Sequence, residues 1–248
     1  MALKSEIVRF LDDFLKVREV EDPYTRNGLV VDGPEEVTRI AFAVDACLAA
    51  FDAAAGLGAQ MVVTHHGLFW PSTAAVTGEL YGRIATLIRG GVSLYSCHLP
   101  LDAHETVGNN IGIVKALGAL DGGPFDGYCR YGDFPEPLPR DLFADRVRTV
   151  IGPGAVLLPF GPDAIRRVAI CSGGGADHLF SIKDDPGVDC FLTGEAVHHV
   201  HHLARENGLN VVFAGHYATE VFGVKALAKV VGERFGVVCD FIDLPTGL

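Results

Sequence analysis

Basic charge is scarce in this 248-residue chain, where 20 Lys and Arg stand against 31 Asp and Glu for a formal net charge of -11. Phosphate backbones and anionic lipid surfaces attract the opposite sign, and no basic stripe is present, so neither nucleic acid nor a membrane is an expected partner. A small anionic substrate stays open, because bound metal ions invert the local field. No C-x-x-C pair occurs among Cys47, Cys97, Cys129, Cys171, Cys190 and Cys239. Their scatter fits neither a disulfide scaffold nor a zinc finger, and reduced thiols, several of them in apolar strands, are expected. The N-terminal MALKSEIVRF carries Lys4, Glu6 and Arg9 where a signal peptide needs an apolar run. The most apolar stretch, Ile40 to Ala59, is broken by Asp45 and Asp52, too early for a membrane span. A cytoplasmic location is expected. With 49% hydrophobic and 21% charged residues the composition is that of an ordinary globular chain, long enough for one large domain or two small ones.

Leu3, Ile7, Leu11, Phe14 and Leu15 recur at helical spacing and predict an amphipathic helix over 3–17. A loop follows at Glu21 to Gly33, with Pro23, Asn27-Gly28 and Asp32-Gly33 as turn signals. Strands are expected at Thr38–Val44, Gln60–Thr64 and Val92–Cys97, separated by helices at Ala46–Leu57 and Leu80–Arg89. Residues 121–140, rich in Gly, Pro and charge, have the composition of a connection between two folding units. Beyond them a helix is expected at Asp141–Val150 and extended segments at Ala155–Phe160, Arg167–Cys171 and Asp189–Thr193. A strand at Asn210–Ala214, a helix at Ala218–Val231 and a last strand at Gly236–Ile242 complete the pattern. Strands separated by helices indicate α/β architecture with largely parallel sheets.

The two halves echo each other. Arg39-Ile-Ala-Phe-Ala matches Arg167-Val-Ala-Ile-Cys, and Gly58 to Thr64 matches Gly187 to Thr193. Gly91 to His98 matches Gly208 to His216 with one residue inserted. Polar residues follow the same plan: Thr64-His65-His66 falls where the second half has Thr193-Gly194-Glu195, and His98-x-x-x-Asp102 where it has His216-x-x-x-Glu220. In each half they cluster past the C-terminal ends of two strands, the edge at which open α/β sheets bind ligands. The expected architecture is two similar, internally duplicated α/β domains with the site in the cleft between them. The first spans 1–124 with 221–248 and the second 125–220.

Imidazole and carboxylate suit Zn, Mn, Fe or Ni at neutral pH. His65, His66, Asp102, His216 and Glu220 supply three imidazoles and two carboxylates, enough for two divalent ions that keep open positions. His65 and His66 would face opposite ways in a continuing strand, but past its end, with Gly67 following, the backbone can turn both rings to one cleft. His216 and Glu220, four apart near a helix start, share a face. Asp102, after Pro100, is expected in a loop. Each feature has a plain reading alone: a surface histidine pair, an i,i+4 helix contact, a turn aspartate. Their recurrence at duplicated positions favours the metal.

His98 reads equally as a further ligand, a group bonded to a ligand, or a satisfied core histidine. Glu195 reads as an acid/base, as a carboxylate bonded to a ligand, or as a helix N-terminal residue satisfied by the dipole. His198-His199-Val-His201-His202 spreads over more than one helical face and reads as a solvated or interface helix. Gly173-Gly174-Gly175 lacks the lysine of a phosphate loop. Asn27-Gly28-Leu29 could line the cleft, although a turn explains it.

At these residues the sequence resembles the YbgI-type family, the homologues of GTP cyclohydrolase I type 2. The matching stretches are N-G-L-x-V-x-G at Asn27–Gly33, T-H-H-G-x-F-W at Thr64–Trp70, H-L-P-L-D at His98–Asp102, G-N-N at Gly108–Asn110, T-G-E at Thr193–Glu195 and A-G-H-x-A-T-E at Ala214–Glu220. The resemblance implies two similar α/β domains, a dinuclear metal centre on His65, His66, Asp102, His216 and Glu220, and a homohexameric ring with its sites facing an inner cavity. The activity it implies is hydrolytic opening of the guanine ring of GTP. A metal-dependent hydrolase of a nucleotide or related small molecule, with Glu195 or His98 moving protons, is therefore the first expectation. The alternative is a non-catalytic metal-handling or partner-binding ring.

Overall fold

The computed structural model describes residues 1–71 and 75–248 of the chain. Two compact units emerge: Met1–Leu101 with Gly223–Leu244, and Asp102–Phe222 with Pro245–Leu248.

In the first unit, four strands lie parallel in the order Val238–Phe241, Arg39–Ala43, Met61–Thr64 and Ser93–Ser96, and Gly28–Val31 closes the sheet antiparallel to the last. These strands are apolar on both faces because both are covered, as a parallel sheet requires. On one face Ala41, Ala43, Val62 and Leu94 pack with Ala50, Phe51 and Ala54 of helix Leu48–Gly56 and Leu87 of helix Gly78–Gly90. On the other, Ile40, Phe42, Met61, Val63 and Tyr95 are buried. There the Tyr95 hydroxyl donates to Asp12 of helix Lys4–Phe14 at 2.9 Å. The segment read as an uninterrupted loop at 21–33 thus contains a sheet strand. Its short Gly-Leu-Val-Val run is too brief to show alternation.

The second unit carries a six-stranded sheet in the order Leu120–Phe125, Cys129–Pro139, Ala164–Cys171, Cys190–Thr193, Asn210–Phe213 and Val156–Leu158. Its three central strands, Ala164–Cys171, Cys190–Thr193 and Asn210–Phe213, are parallel; the outer ones run antiparallel to their neighbours. Alternation sorts Val168 and Ile170 to one face, against Ile113 and Val114 of helix Asn109–Ala116 and Phe143 and Val147 of helix Arg140–Val150. Ala169 and Cys171 point to the other face, with Leu179, Ile182, Val200 and Ala204. Residues 121–140 are not a connection. They form most of the Leu120–Phe125/Cys129–Pro139 hairpin, pinned by Arg130 on Asp121 and Arg167 on Asp133, both bidentate. Pro and Gly are tolerated there because the outer strand needs only some of its ladder bonds. The expectation of reduced thiols is also corrected for one pair, since Cys129 and Cys171 are joined by a disulfide.

The echo seen in the sequence is a shared topology. Each unit has three adjacent parallel strands, with Ala43, Thr64 and Ser96 in register in one and Cys171, Thr193 and Phe213 in the other. Gly91 and Gly208, at φ 62° and 61°, follow the helices that lead into the third of these strands, a left-handed conformation glycine adopts without penalty.

Phe51 is fully buried whereas Leu48 on the same helix is 46% exposed. Phe51→Ala is expected to cost about 3–5 kcal/mol of stability, and Leu48→Ala under about 0.5 kcal/mol, as read by urea denaturation of each variant.

Candidate metal centre

In the first unit the chain bends at His65 and His66 as it leaves the Met61–Thr64 strand, as expected past a strand end, while their amides still donate to the carbonyls of Ala43 and Val44. The two rings therefore lie close, with centroids 4.8 Å apart and both near His98, at 5.1 and 5.7 Å. One nitrogen from each of the three imidazoles lies within 4.8 Å of the others, a grouping that could bind a metal ion. Gly67 does not adopt a left-handed conformation; its missing side chain leaves room for Thr25, whose Oγ1 a Cβ would approach to 2.5 Å and displace.

Each ring is fixed at Nδ1. His65 Nδ1 meets the Cys97 carbonyl at 3.1 Å, His66 Nδ1 meets Asp45 Oδ1 at 2.7 Å, and His98 Nδ1 meets Asp22 Oδ2 at 3.1 Å. A carbonyl or ionised carboxylate only accepts, so Nδ1 carries the proton and the neutral ring keeps its lone pair on Nε2. An oxygen behind Nδ1 is the arrangement that orients metal-binding imidazoles. The side chain of Asp22 is only 2% exposed. Burial raises its pKa, yet hydrogen bonds from His98 and Asn27 outweigh that and hold the carboxyl well below its usual range. Asn27 also accepts the His98 amide at 2.7 Å, so the N-G turn is part of the scaffold of the cluster. Asp22 and Asp45 were not singled out in the sequence. Neither belongs to a motif, and only the Asp45 position just past a strand end offered a signal.

In the second unit Asp102 lies in the short helix Leu99–Ala103 rather than a loop. It is buried, and Asn109 Nδ2 and Ser172 Oγ converge on its Oδ1 at 2.8 and 3.2 Å. Asn110 accepts the Ser172 amide at 2.8 Å. Of the two asparagines of G-N-N, Asn109 thereby holds Asp102 and Asn110 holds Ser172 just past the strand end. His216 opens helix His216–Phe235, its amide bonded to the Leu248 carbonyl. His216 Nδ1 meets Glu195 Oε1 at 2.6 Å, and Nε2 lies 3.1 Å from Glu220 Oε2 on the same helical face. Glu220 is 3% exposed, whereas the Glu195 side chain is half-exposed. The glycine run cradles this pair. Gly173, at φ 62°, donates to Thr219 Oγ1, and a Cβ on it would collide with Glu220 Oε1 and stand 3.2 Å from His216 Nε2. Gly194 and Glu195 both donate to the Gly173 carbonyl. Elsewhere, His199 of helix His198–Glu206 pairs with Asp177 at the exposed surface.

The family model of Duf34/NIF3 (NGG1p interacting factor 3) matches residues 2–246. The chain belongs to this family. A relative from Archaeoglobus fulgidus named GTP cyclohydrolase 1 type 2 homolog is 44% identical over 98% of this chain and 99% of its own length. The solved structure of protein ybgI, described as of unknown function, covers 99% of this chain and 100% of its own at TM-score 0.95 and 35% identity. That of TTHA1606 from Thermus thermophilus covers 99% and 100% at TM-score 0.93 and 39% identity. Among the described residues of this Duf34/NIF3 member, no helix is long and apolar enough to cross a membrane.

Gly173→Ala is expected to push Glu220 away from His216 and weaken metal binding by titration calorimetry, with the circular dichroism spectrum retained. Gly56→Ala, where a Cβ meets nothing within 4 Å, should leave binding unchanged.

Proposed function

We propose that this protein holds two divalent transition-metal ions on His65, His66, Asp102, His216 and Glu220 and hydrolyses a nucleotide or related small molecule. The observation that carries the proposal is the uniform anchoring of the imidazoles. His65, His66 and His216 each have Nδ1 tied to a carbonyl or carboxylate, which leaves Nε2 as the nitrogen for an ion. Neutral imidazoles with carboxylates fit borderline first-row ions such as Zn, Mn, Fe or Ni. Bound there, such ions supply Lewis acidity, stabilising negative charge on a substrate oxygen and making water easier to deprotonate.

The chain's own groups complete the chemistry. Asp45 and Glu195 keep the proton on Nδ1 of His66 and His216, so both rings stay in the donating tautomer. We assign His98, although it groups with His65 and His66, to proton transfer: with Asp22 behind its Nδ1, its Nε2 would take and return a proton during hydrolysis. Trp70, with its ring 5.7 Å from His98 and 6.1 Å from His66, offers an apolar wall for a planar base. The relatives' name, GTP cyclohydrolase 1 type 2 homolog, supports a purine nucleotide as the first substrate to try. We further propose, from the motif resemblance to the YbgI-type family alone, a homohexameric ring, which light scattering would read as six times the 26.4 kDa chain mass.

Protein loaded with Mn, Zn or Fe should hydrolyse GTP or another nucleotide, and His66→Ala and Glu220→Ala should each lose metal and turnover together. Unchanged turnover in both variants overturns the proposal. Fully metallated protein with exchangeable ions and no turnover on a substrate panel would instead support the metal-handling alternative. Asp45→Ala, which removes only the oxygen behind His66, should weaken metal affinity by roughly 10–100-fold.

A further inference from the structure

A second group of metal-ligating side chains lies in the second unit and plays no part in the centre described above. Cys129 begins one strand and Cys171 ends its antiparallel neighbour. The register that sets Ile170 against Arg130 brings the two cysteines directly opposite, with Cα atoms 4.7 Å apart. Both are fully buried. The turn Gly175–His178 comes down on this pair, and only glycine fits at Gly175, where a Cβ would stand 2.6 Å from Cys171 Sγ. That turn delivers His178. One ligand atom from each of Cys129, Cys171 and His178 lies within 4.8 Å of the other two.

His178 is prepared as the other rings are. Its Nδ1 meets Asp126 Oδ2 at 2.5 Å, and that carboxylate is also held by Ser181 Oγ at 2.7 Å. Asp126 takes φ 46° in the hairpin turn, a conformation uncommon for a residue other than glycine. With Nδ1 protonated toward Asp126, the His178 lone pair lies on Nε2, where it accepts from the Tyr128 hydroxyl at 2.8 Å. A carboxylate behind an imidazole, beside two facing cysteine sulfurs, is a donor set for a thiophilic ion.

We propose that Cys129, Cys171 and His178 form a separate site for one zinc-like divalent ion, occupied when the cysteines are reduced and surrendered when they join as the disulfide. A dithiol reductant supplies two electrons and two protons to the S–S bond and becomes a disulfide itself. The two thiols lose their protons as they take the ion, and Tyr128 yields the His178 lone pair. In the reverse direction hydrogen peroxide accepts two electrons from the two thiolates and two protons from solvent. The O–O bond breaks, two waters form, the S–S bond closes and the ion leaves. Cys47, Cys97, Cys190 and Cys239 stay outside the disulfide.

Cobalt(II) is the probe, because a thiolate-to-cobalt charge-transfer band reports sulfur ligation and is silent for imidazole and carboxylate. Dithiol-reduced wild-type protein, desalted and titrated with cobalt to saturation, should develop the band at the intensity of one thiolate-ligated ion per chain, in addition to the ions that the imidazole–carboxylate centre takes up silently. His66→Ala and Glu220→Ala should retain it, which separates this site from the centre of the proposed function. Cys171→Ser should abolish the band, and His178→Ala, which keeps both thiols, should weaken cobalt affinity at least about tenfold. Hydrogen peroxide should bleach the band and release one cobalt per disulfide formed, and dithiol with fresh cobalt should restore it. The proposal is overturned if the cysteines stay oxidised in excess dithiol or reduced wild type shows no band. It is overturned equally if affinity is unchanged in His178→Ala.

Discussion

An oxygen that can only accept, placed behind the Nδ1 of an imidazole, is the interaction on which the chemistry of this protein rests. The Cys97 carbonyl, Asp45, Asp22 and Glu195 play that part for His65, His66, His98 and His216. The contact decides two things at once. It fixes the tautomer, so that the lone pair is on Nε2, and it fixes the ring plane, so that Nε2 has one direction. Without it a histidine at a strand end would sample several rotamers, and ordering it on binding would cost conformational entropy.

That constraint explains why so many polar groups are tolerated in the interior. Asp22 and Glu220 have almost no exposed side-chain surface, and Asp102, Asn109 and Asn110 are buried as well. A buried carboxylate is expensive unless hydrogen bonds replace its water. Here Asp22 receives His98, Asn27 and the Leu99 amide, and Asp102 receives Asn109 and Ser172. The motifs G-N-N and N-G are in this sense supporting structure. Their side chains hold carboxylates and strand ends in place.

The duplicated parallel strands put these groups where they are needed. In each unit, adjacent strands of like direction end at the same edge, so residues distant in sequence but equivalent in register emerge side by side. Close approach is then set by glycine. Gly67 admits Thr25, Gly173 admits Glu220 and Gly175 admits Cys171, each at a separation that a Cβ would allow only if the neighbour moved away. Gly173 and Gly175 belong to the run whose meaning in the sequence was ambiguous. The second of these contacts serves the His216–Glu220 pair and the other the buried cysteine pair.

The strand–helix alternation, the internal repeat and the family were all legible in the residues themselves, because apolar runs and repeated polar positions are local or periodic signals. The pairing of His216 with Glu220 could likewise be read from four-residue helical spacing. Asp22 and Asp45 could not be, because a carboxylate behind a histidine ring is recognisable only once strand ends and loops 21 to 76 residues apart have met. The hairpin at 120–139 was hidden by its own composition, since Gly and Pro signal turns in isolation and outer strands here depend on cross-strand arginine–aspartate pairs. Cys129 and Cys171, 42 residues apart, were opposed by antiparallel register alone. Sequence determined which residues could donate to a metal and on which elements they ride. Tertiary structure decided which nitrogen of each imidazole keeps its lone pair, because that choice is made by a hydrogen bond to a distant part of the chain.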